Sequence, residues 1–220
     1  MEQKIHNILR WFFYGVVVRP ILLLILGFNA RHMERLKPRG AHLIAANHNS
    51  HLDAMVLMSL FKLCDLPKVK VVAAKDYFCR TPLMAWFSIN VIGVIPIDRQ
   101  GGADNPIQPV IDALEEGYTV IIFPEGSRGD PEQQAPLKYG VTKVLEAHPD
   151  VQITPVYMHG LGKALPRGEA LLVPFVCEIN IGEPISWHGD RAKLIDSLAA
   201  SFAHLKNEME VKPWQQKPAP

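Results

Sequence analysis

The sequence predicts a single α/β domain, a mainly parallel mixed sheet flanked by helices, preceded by an N-terminal apolar helical anchor. Three observations carry that prediction. Short runs rich in Val, Ile and Ala alternate with runs at helical spacing between residues 41 and 209, the order of elements that builds parallel sheets with helical crossovers. At 220 residues, 48% of them hydrophobic, the chain has the size of one domain with a substantial core. Ahead of the alternation, residues 11–28 read WFFYGVVVRPILLLILGF. The expected division is residues 1–30 as a membrane-associated helical segment, 31–210 as the domain and 211–220 as a flexible, Pro- and Lys-rich tail.

The apolar stretch is split in its middle by Arg19-Pro20. A spanning helix needs about 20 mostly apolar residues, and a central arginine costs roughly 2.5–3.5 kcal/mol. Pro20 withholds a helix hydrogen bond but suits the first position of a new helix. Two short helices, or one kinked helix, dipping into one leaflet fit this pattern, with Trp11, Tyr14 and Arg19 at headgroup level. A buried helix packed on the domain is the alternative. A cleaved signal peptide fits less well, because Phe28 stands where a small residue is wanted before Ala30.

Residues 1–40 hold seven Lys or Arg against two acids, whereas the remainder holds sixteen against twenty. A basic end beside an apolar stretch suits an anionic membrane surface, as a monotopic anchor on the cytoplasmic leaflet. No basic stripe interleaved with aromatics appears elsewhere, so no nucleic acid is expected as a partner. Cys64, Cys79 and Cys177 are scattered thiols that fit a reducing compartment rather than a disulfide framework, each expected as a small core hydrophobe.

Along the domain, residues 41–46 (AHLIAA) predict a buried strand and 53–62 an apolar helix. Residues 69–74 predict a second strand, 82–89 a short helix and 91–97 a third strand, with Pro96 marking an edge or a bulge. A loop at 101–105 leads into a helix over 106–116, stopped by Gly117 at its C′ position. Residues 119–123 give the fourth strand, 137–147 a helix, and 152–157 and 174–181 two more strands. Residues 190–209 form an amphipathic helix with Leu194, Leu198, Phe202 and Leu205 on one face.

Two polar strings each follow a strand. In Asn47-His48-Asn49-Ser50-His51-Leu52-Asp53, the five-residue offset puts His48 and Asp53 on different faces of a helix and on opposite faces of a strand. They meet only if the chain turns between them, and Asn49 and Ser50 are N-cap types suited to that turn. Asp53 then either caps the helix it opens or fixes the tautomer of His48, leaving the other nitrogen free to take a proton from a hydroxyl. His48, His51 and Asp53 lack the spacing of a metal set, so no metal is expected. The second string is Phe123-Pro124-Glu125-Gly126-Ser127-Arg128-Gly129. Gly126 and Gly129 permit positive φ, so that successive N–H groups converge on an anion, with Ser127 as a further donor and Arg128 as a bidentate fork. Arg99 and Lys75, each just past a strand end, are two more candidate cations.

Taken in order, these strings resemble the glycerolipid acyltransferases of the 1-acylglycerol-3-phosphate acyltransferase type. The first block is matched by Asn47 to Asp53 and the second by Gly93-Val94-Ile95-Pro96-Ile97-Asp98-Arg99. Phe123 to Gly129 match the third block and Ile153-Thr154-Pro155-Val156 the fourth, so that the resemblance covers about residues 31–185. It implies that His48 acts as general base on a glycerol hydroxyl, oriented by Asp53. The alkoxide would attack the thioester of acyl-CoA or acyl-carrier protein, a co-substrate, with no cofactor. The implied reaction acylates the sn-2 hydroxyl of 1-acylglycerol-3-phosphate to give phosphatidic acid at the cytoplasmic face of the inner membrane. Arg99, Gly126, Ser127 and Arg128 would hold the acceptor phosphate, Glu125 would order their loop, and Lys75 would contribute a further charge. The alternatives are another lysolipid acceptor (a lysophospholipid or a lyso-ornithine lipid) and a non-catalytic, membrane-surface lipid binder.

Overall fold

A computed structural model describes residues 2–36, 38, 40–50, 52–98, 105–127, 129, 135–164 and 175–209. Seven strands form one mixed sheet: β1 (Gly27–Arg31), β2 (His42–Ala46), β3 (Val69–Ala74), β4 (Val94–Ile97), β5 (Thr119–Ile122), β6 (Ile153–His159) and β7 (Val176–Ile181). Their order is β1-β7-β6-β2-β5-β3-β4. All neighbours are parallel except β6 and β7. β4 is an edge strand, which accommodates Pro96, a residue with no N–H to donate.

The central strand β2 shows why its sequence is apolar throughout. Helices cover both faces of the sheet, so both sets of side chains are buried. Alternate residues enter opposite layers: Ile44 and Ala46 join one core cluster, Leu43 and Ala45 the other. The first layer is built with α3 (Leu52–Leu60) through Val56, Leu57 and Met58 and with the N-terminal helices. The second is built with α6 (Gln108–Glu115), α7 (Gly140–Ala147) and α9 (Arg191–Met209). On α9 the buried residues Leu194, Leu198, Phe202, Leu205 and Met209 fall at the expected helical spacing. Short helices α4 (Lys75–Phe78), α5 (Pro82–Phe87) and α8 (Leu161–Ala164) complete the set. Gly117 ends α6 at φ +80°. Its N–H donates to the Leu114 carbonyl (2.9 Å) and that of Tyr118 to Ala113 (2.9 Å), a Schellman stop.

The N-terminal stretch is one continuous helix, residues Glu2–Ile25, made of α1 (Glu2–Phe12), a π-type stretch (Phe13–Val18) and α2 (Arg19–Ile25). The π-type turn is the physical answer to Pro20. Proline removes one N–H and crowds the carbonyl four residues back, and the wider turn redirects the bonding. The N–H of Arg19 accordingly reaches the Tyr14 carbonyl, five residues back. Helix and sheet meet at Leu26, because residues 27–31, read from sequence as outside any strand, form β1.

Two of the residues expected at headgroup level turn inward instead. Tyr14 is fully buried and its hydroxyl donates to the Ile92 carbonyl (3.1 Å). Arg19 donates to the Ser59 carbonyl (3.1 Å) and to that of Phe61, so its charge sits on the C-terminal end of α3, where the helix dipole favours a cation. Trp11 remains about half exposed, at 51%. Of the three cysteines, Cys177 is buried, whereas Cys64 is exposed and Cys79 only half-buried.

Candidate active site

Because β2, β5, β3 and β4 are successive parallel neighbours, the segments after them gather beyond the same sheet end, where open α/β sheets place their functional loops. The first polar string leaves β2 there and turns at once into α3. Across that turn the Nδ1 of His48 lies 2.9 Å from Oδ2 of Asp53. The same oxygen accepts the N–H of Asn49 (2.6 Å) and the N–H of Ser50 (2.9 Å). Capping and orientation, alternatives in the sequence, are thus carried by one carboxylate oxygen. Asp53 is 1% exposed and His48 21%. A carboxylate only accepts, so the His48 proton sits on Nδ1 and Nε2 is left as an acceptor.

The second string engages the first through the main chain of His48. Glu125 Oε1 accepts the His48 N–H (3.0 Å), Oε2 accepts the Ala135 N–H (3.1 Å), and the Gly129 N–H donates to the His48 carbonyl (3.0 Å). Glu125 therefore ties the histidine to the far side of its own loop. It is 2% exposed, and burial raises its carboxyl above the ordinary range, while the two amide donors pull the other way. Phe123 lies under the imidazole, ring centroids 4.2 Å apart and 21° from parallel. From the first string, Asn47 donates to the Met158 carbonyl (2.9 Å) and accepts its N–H (2.7 Å). This imitates one more rung of the β2–β6 ladder and fixes the point at which the chain leaves the sheet.

His48 opens on a cavity of about 540 Å³. Its walls are mostly apolar, among them Met55, Val71, Phe78, Ile92, Val94 and Ile122, with Gly126, Asp98 and Lys138 also on the lining. Gly126 holds φ +73°, the conformation that favours glycine, and its N–H closes the turn onto the Phe123 carbonyl (2.9 Å). Ser127 is exposed at the rim of that turn, and Lys75 is exposed at the start of α4, where Asp76, Tyr77 and Phe78 line the cavity in its place. Arg99 and Arg128, expected on the anion, lie outside the described residues, as does His51. Among the described residues no group of His, Cys, Asp or Glu side chains is arranged to hold a metal ion.

Sequence reasoning missed three contributors: the Asn47 bridge, the Phe123 stack and the position of Lys138. Asn47 and Phe123 stood inside the quoted strings with no role assigned. Lys138 gave no signal, since its approach to Gly126 depends on a loop closure that spacing alone does not specify.

A family model described as Acyltransferase matches residues 27–159. The chain is 26% identical over 204 residues to the chloroplastic 1-acyl-sn-glycerol-3-phosphate acyltransferase LPAT1 of Arabidopsis thaliana, which covers 91% of this chain and 53% of that protein. It therefore spans about half the length of that plant relative. It is 25% identical over 197 residues to the 1-acyl-sn-glycerol-3-phosphate acyltransferase of Bacillus subtilis, covering 89% of this chain and 86% of that one. The crystal structure of the 1-acyl-sn-glycerophosphate (LPA) acyltransferase PlsC from Thermotoga maritima shares the fold, with a TM-score of 0.73 at 16% identity over 92% of this chain and 81% of that chain.

Proposed function

The chain belongs to the acyltransferase family, and from that premise we propose that it transfers a fatty acyl group from an acyl thioester to the sn-2 hydroxyl of 1-acylglycerol-3-phosphate. The observation that carries the reading is the His48–Asp53 pair, 2.9 Å apart, at the wall of an apolar cavity of about 540 Å³. The donor is acyl-CoA or acyl-carrier protein. Nε2 of His48 takes the proton of the acceptor hydroxyl as its oxygen attacks the thioester carbonyl. The imidazolium is stabilised by Asp53. Collapse of the tetrahedral adduct breaks the C–S bond, and the proton returns to the departing thiolate. The apolar walls suit an acyl chain, and the names of the curated relatives support a phosphate-bearing acceptor.

A panel of lysolipids tests the acceptor. With labelled acyl donor, 1-acylglycerol-3-phosphate is expected to give the highest kcat/KM, at least tenfold above lysophosphatidylethanolamine, a lyso-ornithine lipid or monoacylglycerol. A higher value for an uncharged or zwitterionic headgroup would overturn the assignment.

The lysolipid acceptor and the product reside in a bilayer, and the outer face of the N-terminal helix suits one. Ile8 is 66% exposed, Leu23 70% and Leu24 85%, while the opposite face packs into the core through Tyr14, Leu22 and Leu26. We read this as a monotopic anchor lying in the cytoplasmic leaflet, one side on the domain and one in lipid. Deleting the whole segment would strip the core, so substitutions on the outer face make the cleaner test. Leu23→Glu with Leu24→Glu should cut partitioning into anionic vesicles at least tenfold and leave the unfolding midpoint in detergent unchanged. Undiminished co-sedimentation would sink the anchor.

A further inference from the structure

Between β3 and β4 the chain makes an excursion to which the acyl-transfer chemistry gives no role. It leaves the cavity wall at Asp76, Tyr77 and Phe78 of α4 and returns to it at Ile92 and Val94. Ser88 closes the neck, its hydroxyl donating to the Phe78 carbonyl (3.1 Å). Residues 81–97 carry no charged side chain. Within them Pro82–Ile92 is an apolar helix, made of α5 and the π-type turn Ser88–Ile92. Leu83, Met84, Trp86, Phe87 and Ile89 are all exposed on it, Leu83 at 74%. Its backbone groups are nevertheless satisfied at both ends. Thr81 Oγ1 accepts the Met84 N–H (3.2 Å), and Arg10 takes the carbonyls of Ile89, Asn90 and Val91. Of its polar side chains, Ser88 serves the neck and Asn90 donates back to the Trp86 carbonyl (2.9 Å). An apolar exterior with its polar groups bonded internally is what hydrocarbon demands of a helix.

We propose that Pro82–Ile92 is a second membrane-contacting helix, inserted among the lipid acyl chains of one leaflet beside the N-terminal helix. The proposal rests on the membrane reading of that helix given above and extends it to the domain itself. Continuity of the two surfaces decides for lipid. Trp86 packs edge-on against His6, ring centroids 5.7 Å apart, and Phe87 against Phe13 at 5.3 Å. Leu9, three residues from His6 and four from Phe13, lies between them on the helix surface and is exposed. Ile5 and Phe12 flank Leu9 in the same way and are more exposed still. The apolar surface of the excursion therefore runs on into the outer face of the N-terminal helix. At the neck, the Arg80 guanidinium lies over the Tyr77 ring, 5.0 Å from its centroid, a basic and aromatic pair suited to headgroup level. Asp76 and Tyr77 are exposed as well as on the lining, so the cavity reaches the surface at α4. Seating the excursion in lipid puts that opening at the headgroups, where a lysolipid enters without crossing water.

The test reads Trp86 and Trp11 separately, in full chains whose other tryptophans are changed to phenylalanine, on phosphatidylglycerol and phosphatidylcholine vesicles with brominated acyl chains. Bromine should cut the Trp86 emission at least about twofold relative to unbrominated vesicles, the loss expected at acyl-chain depth. In the otherwise unaltered chain, Leu83→Glu with Met84→Glu should lower partitioning into unbrominated vesicles at least about tenfold and leave the unfolding midpoint in detergent unchanged. Turnover of 1-acylglycerol-3-phosphate in vesicles should fall by a similar factor, while turnover of a short-chain acceptor dissolved as monomers stays within about twofold. Quenching of Trp11 without Trp86, or partitioning unchanged by the two glutamates, overturns the proposal and leaves the reading of the N-terminal helix intact. Quenching of Trp86 without Trp11 sustains the proposal and takes the N-terminal helix out of lipid. Quenching of neither overturns both. A Trp86 spectrum that shifts with protein concentration in the absence of lipid makes a second copy the occupant and overturns it as well. If the acyl-transfer reading fails, quenching and partitioning still decide.

Discussion

Asp53→Asn is expected to lower kcat for acyl transfer by about a hundred- to ten-thousandfold while changing the free energy of unfolding by less than about 1 kcal/mol. The separation follows from how the two carboxylate oxygens are used. Oδ2 accepts from His48 Nδ1, Asn49 N–H and Ser50 N–H, and the amide oxygen of asparagine can take all three. Among the described residues Oδ1 has no hydrogen-bond partner, so the new NH2 group meets no donor there. What disappears is the negative charge that, in the proposed mechanism, stabilises the imidazolium. Asp53→Ala is different, because it leaves buried backbone donors without acceptors and should cost about 2–4 kcal/mol of stability as well. His48→Ala should reach the same catalytic floor, and His48→Ala/Asp53→Asn should fall no lower, because residues acting as one unit are not additive. Single-turnover kinetics and denaturant unfolding of the four variants check this. If Asp53→Asn keeps kcat within tenfold of wild type, Asp53 is a helix cap and nothing more.

The legibility of these features in the sequence follows from how local their causes are. β2, β3 and β5 are buried on both faces, so their composition alone marks them, and Gly117 announces the end of α6 because only a glycine is comfortable at φ +80°. The His48–Asp53 pair was readable because a five-residue offset admits contact only through a turn. β1 was not readable: Gly27-Phe28-Asn29-Ala30-Arg31 lies at the sheet edge with alternately exposed residues, and its pairing with β7 joins positions some 150 residues apart in a register that no local pattern encodes. The inward turn of Tyr14 and Arg19 was hidden for a related reason. An apolar stretch with a central arginine reads as a membrane segment that tolerates a charge, but the carbonyls of Ser59, Phe61 and Ile92 that receive these side chains belong to distant parts of the chain. Lys138 and Gly126, twelve residues apart, meet for the same tertiary reason.

Arg10→Met should destabilise the protein by about 3–5 kcal/mol, the largest loss expected from any single change in the N-terminal helix. Arg10 is 6% exposed. Its Nε donates to the Val91 carbonyl (3.2 Å), Nη1 to Leu66 (3.1 Å), and Nη2 to Asn90 (3.2 Å) and Ile89 (3.4 Å). Three of these four acceptors belong to the π-type turn Ser88–Ile92, which ends at Gly93 with φ +93°. A helix end carries partial negative charge, so a guanidinium satisfies its carbonyls without a carboxylate partner. Methionine keeps much of the volume and returns none of the bonds, leaving carbonyls buried and unsatisfied. Lysine offers three donors on a point charge in place of a planar fork, so Arg10→Lys should fall between wild type and Arg10→Met. The consequence reaches the site, because Ile92 and Val94, on either side of Gly93, line the cavity. Arg10 joins the N-terminal helix to the wall against which an acyl chain would lie. Thermal unfolding in detergent, alongside KM for the acyl donor, tests both halves of the argument. Arg10→Met should lower the midpoint and raise donor KM together, whereas Leu24→Ser on the outer face of the same helix should alter neither. A midpoint for Arg10→Met within a degree of wild type would mean that the buried guanidinium contributes nothing to holding the N-terminal helix in place.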